Sequence, residues 1–321
     1  MDILLNSFDS KMPNLALMKL GRYHQKRGDN IRLAYGKVPI WGDRQYISVM
    51  FAWSKGLLPD WGIKGGPGFD PKVELPPAVE KLRPFYGLYP ENKISWGYTF
   101  RGCPRGCSFC LVPKMPMGSD FSHRSIWSFA TKRKKEICLL NNNTFFDLQW
   151  PDTFREIYEA NLTIMDLNGY DIRLMDRRKA EWLARLKWSK GVHFAYDNIS
   201  SKDKVIAGLK CLEKHGTLHG VRFYCLTGYD ETFEQELERI NLLRSFGVSV
   251  FALQYRQGDP ARMRLKSWTY NTKAFFKVEF KDYLNYTERK KRDETPGSKL
   301  NDEIFKVGRR RGRRSGTVTP A

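Results

Sequence analysis

Residues 94–110 read ISWGYTFRGCPRGCSFC, a short apolar run followed at once by a loop carrying Cys103, Cys107 and Cys110. Ile94–Phe100 has the apolar and aromatic content of a strand, so three thiols are predicted to share one loop at a strand's C-terminal end. Gly102, Pro104 and Gly106 let that loop bend tightly, as three ligands converging on one small inorganic body require. A zinc ion normally takes a fourth protein ligand, and no Cys or His follows closely before His123. A redox dithiol would use Cys107 and Cys110 and leave Cys103 without a task. Three thiolates on a four-iron cube leave one iron open. Zinc and other cluster types stand as alternatives to that reading.

Toward the C-terminus, apolar runs alternate with helical patterns. Ile137–Leu140, Leu162–Leu167 with Ile172–Met175, Val192–Ala195, Val221–Leu226 and Val248–Leu253 read as strands, and Arg177–Leu186, Lys202–His215 and Glu231–Phe246 as the clearest helices. Six such βα units imply a parallel sheet with helices outside it, either open or curled into part of a barrel, with working residues just beyond the strands' C-terminal ends. Toward the N-terminus, Ile3–Leu5, a helix preceded by Asn14 and stopped at Gly28, Ile31–Ala34 and Tyr46–Trp53 read as a small α/β unit. The Gly- and Pro-rich Gly62–Pro77 reads as a linker or a binding loop. The division predicted is 1–90, 91–260, a C-terminal extension over 261–307, and a basic disordered tail over 308–321.

At 41% hydrophobic and 14% aromatic the 321 residues can bury real cores. No run reaches the roughly 18 uncharged apolar residues of a membrane span, and the start lacks the basic lead and cleavage site of a signal peptide. A cytoplasmic protein with reduced or metal-bound thiols is therefore expected, rather than a disulfide framework. Cys138, Cys211 and Cys225 lie in apolar patterns and read as small buried hydrophobes. Between Ala261 and Ala321 there are 17 Lys/Arg against 7 Asp/Glu, half of the net charge of +20. That surplus fits nucleic acid held through the basic tail, or simply a solvated end.

The run Arg101-Gly102-Cys103-x-x-x-Cys107-x-Phe109-Cys110 resembles the cluster motif of the radical S-adenosylmethionine (radical SAM) superfamily, and the resemblance extends to about Tyr283. It includes Asn168-Gly169-Tyr170-Asp171-Ile172-Arg173, Phe194-Ala195-Tyr196-Asp197-Asn198, Leu226-Thr227-Gly228-Tyr229-Asp230 and Gln254-Tyr255-Arg256. The front resembles a bacterial group with a cobalamin-binding-like N-terminal region. The resemblance implies an α/β chain: a partial (βα)6 TIM-like barrel preceded by a small Rossmann-like, cobalamin-binding-like domain. It implies a [4Fe–4S] cluster on Cys103, Cys107 and Cys110 whose open iron binds S-adenosyl-L-methionine, reductive cleavage to a 5′-deoxyadenosyl radical that abstracts hydrogen from substrate, and a low-potential donor such as flavodoxin or ferredoxin.

By the same resemblance Asp171 accepts from a ribose hydroxyl, Arg173 pairs with the methionine carboxylate, Phe109 and Gly228 line the adenine pocket, and Asn168, Asp197 and Arg256 belong to the cofactor site. Ordinary hydrogen bonds or salt bridges are the alternative for Asp171, Arg173 and Asp197. Where the family has a Gly-Gly-Glu-like run for the methionine amino group, this chain has Asn141-Asn142-Asn143, and Asn142 takes that place. The early loop Phe8–Pro13 lacks the histidine that ligates cobalt, and His24 reads as a surface or packing residue, so the resemblance reaches the cobalamin fold and not the cofactor. Two competing functions are a nucleic-acid-modifying version, by methylation or thiolation, and a non-catalytic zinc-held binding module.

Overall fold

Ile3, Leu4 and Leu5 are buried on both faces of β1 (Asp2–Ser7), the strand around which the first sheet forms. In the computed structural model, which describes residues 1–116 and 121–294, β1 pairs in parallel with β2 (Asn30–Tyr35) and β3 (Arg44–Ser48), and β3 with β4 (Ile63–Gly65). The order is β2-β1-β3-β4, and a central parallel strand buried on both sides reads as an unbroken apolar run. Helix α1 (Leu15–Gln25) crosses from β1 to β2; the Asn14 side chain accepts from Leu17 N at 3.1 Å, closing its first turn. His24 is a packing residue, 1% exposed, with Nδ1 2.7 Å from Asp29 and Nε2 3.0 Å from the Tyr46 hydroxyl. The stretch expected to be a linker contributes β4, and Gly66 and Gly68 then lie directly against the Val49 and Phe51 backbones. The short helix α2 (Pro77–Glu80) follows.

All later strands are parallel as well: β5 (Ile94–Gly97), β6 (Glu136–Leu139), β7 (Thr163–Ile164) and β8 (Lys187–Trp188) form one sheet. A second sheet has β11 (Ser249–Gln254), β10 (Val221–Thr227) and β9 (Val192–Ala195) in the order β11-β10-β9. A bridge from Tyr170 to Phe194 joins the two. Helices α3 (Trp150–Glu159), α4 (Arg177–Arg185), α5 (Lys202–His215) and α6 (Phe233–Ser245) alternate with these strands. Period-two alternation sorts the side chains. Ile137, Ile164, Phe194, Phe223, Cys225, Val250 and Ala252 join the large core shared with the helices. Trp96, Cys138 and Met165 instead pack with Ile3, Leu5, Leu17 and Met18, so the first sheet and β5–β7 share a core. The chain is thus mixed α/β with parallel sheets.

Several strands are shorter than expected, each for a local reason. The run from Tyr46 ends at Ser48, and Ala52–Leu57 turns into a 3-10 helix. Ile172–Met175 is not a strand: the Asp171 side chain caps Arg173 N, starting a 3-10 turn over Ile172–Leu174, and α5 presses on that turn through Gly208, where a Cβ would lie 2.6 Å from Ile172 O. β5 ends at Gly97, whose missing side chain is replaced by the Phe129 ring; a Cβ there would stand 2.1 Å from that ring. Gly97→Ala should therefore destabilise by about 1–3 kcal/mol through overpacking, measured as a lower urea midpoint.

Beyond residue 260 the chain is not an appendage. α7 (Pro260–Tyr270), started by Asp259, and α8 (Thr272–Lys277) bring Leu265, Trp268 and Phe275 into the main core, and α9 (Tyr283–Glu294) adds Tyr283. The rest of the expected extension and the basic tail 308–321 lie outside the described residues. Among the described residues no helix is long and apolar enough to cross a membrane.

Candidate functional site

Beyond Gly97 the chain enters the cysteine loop, which three consecutive asparagines after β6 hold in place. Asn141 Oδ1 accepts from the backbone N–H of Thr99 (2.9 Å) and Phe100 (3.2 Å), and Asn142 Oδ1 from that of Gly102 (2.9 Å). Asn143 Nδ2 lies 3.6 Å from Cys103 Sγ and 3.4 Å from Asp171 Oδ2. Left-handed turns at Gly102 (φ +91) and Gly106 (φ +60) fold the loop between these anchors. Cys110 N–H donates to Cys107 O at 3.0 Å, and Cys110 Sγ accepts from Val112 N–H at 3.4 Å.

The three thiols are free and half-buried. Burial pushes the Cys107 thiol up from its ordinary value; Arg173 opposes that, while Cys110 and Cys103 add to it, so all four groups share one electrostatic neighbourhood. Among the described residues, no three Cys, His, Asp or Glu side chains converge closely enough to hold a metal ion as they stand. The donor chemistry nonetheless suits an iron–sulfur cluster, which takes its protein ligands as thiolates. A second observation points to a bound group: Asn143 Oδ1 is buried beside Cys103 with no partner, and such an orphaned acceptor is costly unless something fills it. Cys138 and Cys225 are wholly buried, and desolvation pushes both thiols up to about 12, in keeping with a packing role; Cys211 is half-buried.

Next to this loop is a cavity of about 620 Å³, within the size range of small-molecule sites. Phe109 and Val112 of the cysteine loop line it together with Asn141, Asn142, Leu167, Asn168, Ala195, Asp197, Tyr224, Leu226 and Leu253. These lie at or near the C-terminal ends of β6, β7, β9, β10 and β11. Phe109 also meets Tyr229 edge-on (5.6 Å), which in turn meets Tyr255 (4.7 Å), so the loop after β5 reaches the ends of β10 and β11. No pattern within the cysteine motif announces that long-range aromatic contact.

Of the residues assigned by resemblance, Phe109, Asn142, Asn168 and Asp197 line the cavity. Asn168 Nδ2 donates to Asn141 O at 3.1 Å. Asp197 Oδ1 accepts from Leu226 N–H at 2.9 Å, and burial raises this carboxyl above its ordinary value against the pull of that bond and of Arg239 and Arg173. Three assignments change. Asp171 is saturated: Arg105 Nε (2.7 Å), Arg173 Nε (2.7 Å), Arg173 Nη2 (3.0 Å) and Arg173 N–H (3.1 Å) already donate to it, so it orients two guanidiniums instead of accepting from a hydroxyl. Gly228 is outside the cavity lining, its N–H held by Glu236 Oε1 at 2.6 Å, whereas Leu226, two residues before it, lines the cavity. Arg256 is exposed and, like Arg173, also outside the lining. Asn142 spends its carbonyl on Gly102, so the acceptor left over in the asparagine trio is Asn143 Oδ1, which sequence reasoning passed over.

Burial alone would raise the Asp171 carboxyl, but Arg173 and Arg105 outweigh it and hold the group below the usual range. A depressed folded-state value adds stability that is full above the unfolded value of about 3.9 and is lost as pH falls through the folded one. Asp171→Asn should therefore cost about 2 kcal/mol at pH 7, with the gap to wild type closing below about pH 4. Urea midpoints at pH 7 and pH 3 check this; an equal gap at both would refute it.

No protein-family model matches the chain, and no curated protein matches it.

Proposed function

We propose that this chain is a radical S-adenosylmethionine enzyme, with a [4Fe–4S] cluster held by Cys103, Cys107 and Cys110 and S-adenosylmethionine seated in the adjoining cavity. The observation that carries the reading is the placement of three thiols on one asparagine-clamped loop, beside a cavity at the C-terminal ends of parallel strands and next to an unpartnered buried acceptor. When bound, the cluster and its ligand supply one-electron cleavage of a sulfonium, chemistry no side chain provides.

The chain's own groups position and shelter. Arg173, fixed by Asp171, offers its remaining N–H groups to a carboxylate. Asn143 Oδ1 accepts from an ammonium, Asp197 and Asn168 bond hydroxyl or amide groups, and Phe109 with Leu226 walls a flat ring. The Phe109–Tyr229–Tyr255 contacts hold the cysteine loop against the ends of β10 and β11 beside the cavity. In this reading β5–β11 are a partial (βα)6 barrel, the front sheet is a Rossmann-like unit related to cobalamin-binding domains, and flavodoxin or ferredoxin delivers the electron. His24 has both ring nitrogens engaged, by Asp29 and Tyr46, and serves packing in the front unit.

Protein reconstituted anaerobically with iron and sulfide is expected to hold about four irons per chain and, with reductant and S-adenosylmethionine, to release 5′-deoxyadenosine. One zinc per chain and no 5′-deoxyadenosine would overturn the reading in favour of a zinc-held module.

A further inference from the structure

Among the described residues β11 pairs only with β10, so it is a sheet edge. Its helix-facing side is covered by α7, where Ala252 N–H meets Thr269 Oγ1. Along its other side run Phe251, Leu253 and Tyr255, with Tyr270 of α7 edge-on to Phe251 at 5.1 Å. Leu253, Tyr255 and Tyr270 are 38%, 47% and 48% exposed. α7 blunts that edge by accepting from the Ala252 N–H, while the face that carries Leu253 leads to the cavity.

Cations are interleaved with these rings. Arg222 lies over Phe251 at 5.8 Å and Lys266 over Tyr270 at 5.7 Å, while Arg256 follows Tyr255 in the chain. None of the three is in an ion pair among the described residues. The nearby acids Glu236 and Asp259 are committed to Arg262, at 2.9 and 2.5 Å. The two exposed rings of Tyr255 and Tyr270 beside these cations, on a chain of net charge +20, are what unstacked bases and their phosphates require.

We infer that the face of β11 carrying Leu253 and Tyr255, with Tyr270, is a track for single-stranded nucleic acid, which presents one nucleotide to the cavity. As a statement about substrate this rests on the reading given under Proposed function; as a binding site it does not.

The test is fluorescence anisotropy of labelled single-stranded RNA and DNA of about twelve nucleotides with the full chain. Tyr255→Ala/Tyr270→Ala should weaken binding at least tenfold while keeping the wild-type circular dichroism and urea midpoint, which a folding defect would not allow, and Tyr255→Phe/Tyr270→Phe should bind like wild type. Arg256→Gln/Lys266→Gln should lower the slope of log K against log salt by about 1.4. Replacing Arg309, Arg310, Arg311, Arg313 and Arg314 together by Gln should leave the dependence on Tyr255 and Tyr270 intact. Unchanged binding by the double alanine variant, or loss of binding by the tail variant alone, would overturn the inference in favour of a loose polyanion contact. Tighter binding of an acidic peptide than of either oligonucleotide would overturn it in favour of strand addition at the edge. Cys107→Ser should bind the oligonucleotides like wild type while forming no 5′-deoxyadenosine, so failure of the track and failure of the radical reading are separable.

Discussion

Cys107→Ser is expected to lose the broad absorbance near about 400 nm after anaerobic reconstitution and all 5′-deoxyadenosine formation, while keeping wild-type secondary structure and urea midpoint. The reasoning starts from the loop's supports. Asn141 and Asn142 clamp it through the backbone of Thr99, Phe100 and Gly102, and only Asn143 reaches a thiol, that of Cys103. Cys107 has no side-chain hydrogen bond among the described residues; its ties are electrostatic, to Arg173 and the two other thiols. Exchanging its sulfur for oxygen therefore leaves the frame standing while removing one of three thiolates. With two ligands left and the third position a poorly acidic hydroxyl, iron content after desalting should fall several-fold. Cys138→Ser, at a wholly buried thiol in the core shared with the first sheet, is the contrasting control: it should lower stability and leave iron content unchanged. Equal iron in Cys107→Ser and wild type would refute the assignment of this loop.

Much of the frame was legible because local signals agreed with long-range burial. The run Ile3–Leu5 became the central strand of its sheet, Asn14 capped the helix it precedes, and Lys202–His215 is a helix over the range its periodicity gives. The cysteine loop likewise stands at a strand's C-terminal end, where the alternation of apolar runs and helices put it. What was not legible depends on which side chain reaches which across the fold. Asp171 looked like a ligand because it follows an apolar strand, but the arginines that saturate it sit two residues on and sixty-six residues back. Asn142 and Asn143 are adjacent and alike in the chain; only the position of Gly102 N–H decides which one keeps a free carbonyl. Residues 261–307 read as an extension because they follow the last strand of the βα series, yet Leu265, Trp268 and Phe275 fall on the buried side and complete the core.

Arg239→Met should lower stability by about 3–5 kcal/mol, and it should do so without a change in iron content per folded chain. Arg239 is 1% exposed on α6, and its guanidinium bonds Glu231 Oε2 (2.7 Å), Leu226 O (2.7 Å) and Tyr196 O. It therefore ties the ends of β9 and β10 to the helix that follows them. Glu231 in turn accepts from Ile199 N–H, extending the same network to the turn before α5. Methionine matches the aliphatic stem but leaves the buried Glu231 carboxylate without its cation and removes a donor from two carbonyls, and that cost dominates over any gain in packing. Changing both partners, Arg239→Met with Glu231→Gln, should recover part of the loss, because the uncompensated charge is then gone; a double variant no more stable than the single one would show that the carbonyl contacts carry the effect. Since Leu226 and Asp197 both stand on the strand ends that Arg239 fixes, and Asp197 takes its hydrogen bond from Leu226 N–H, the weakened variant should also bind S-adenosylmethionine less tightly than its cluster content alone would explain, measured by equilibrium dialysis of reconstituted protein.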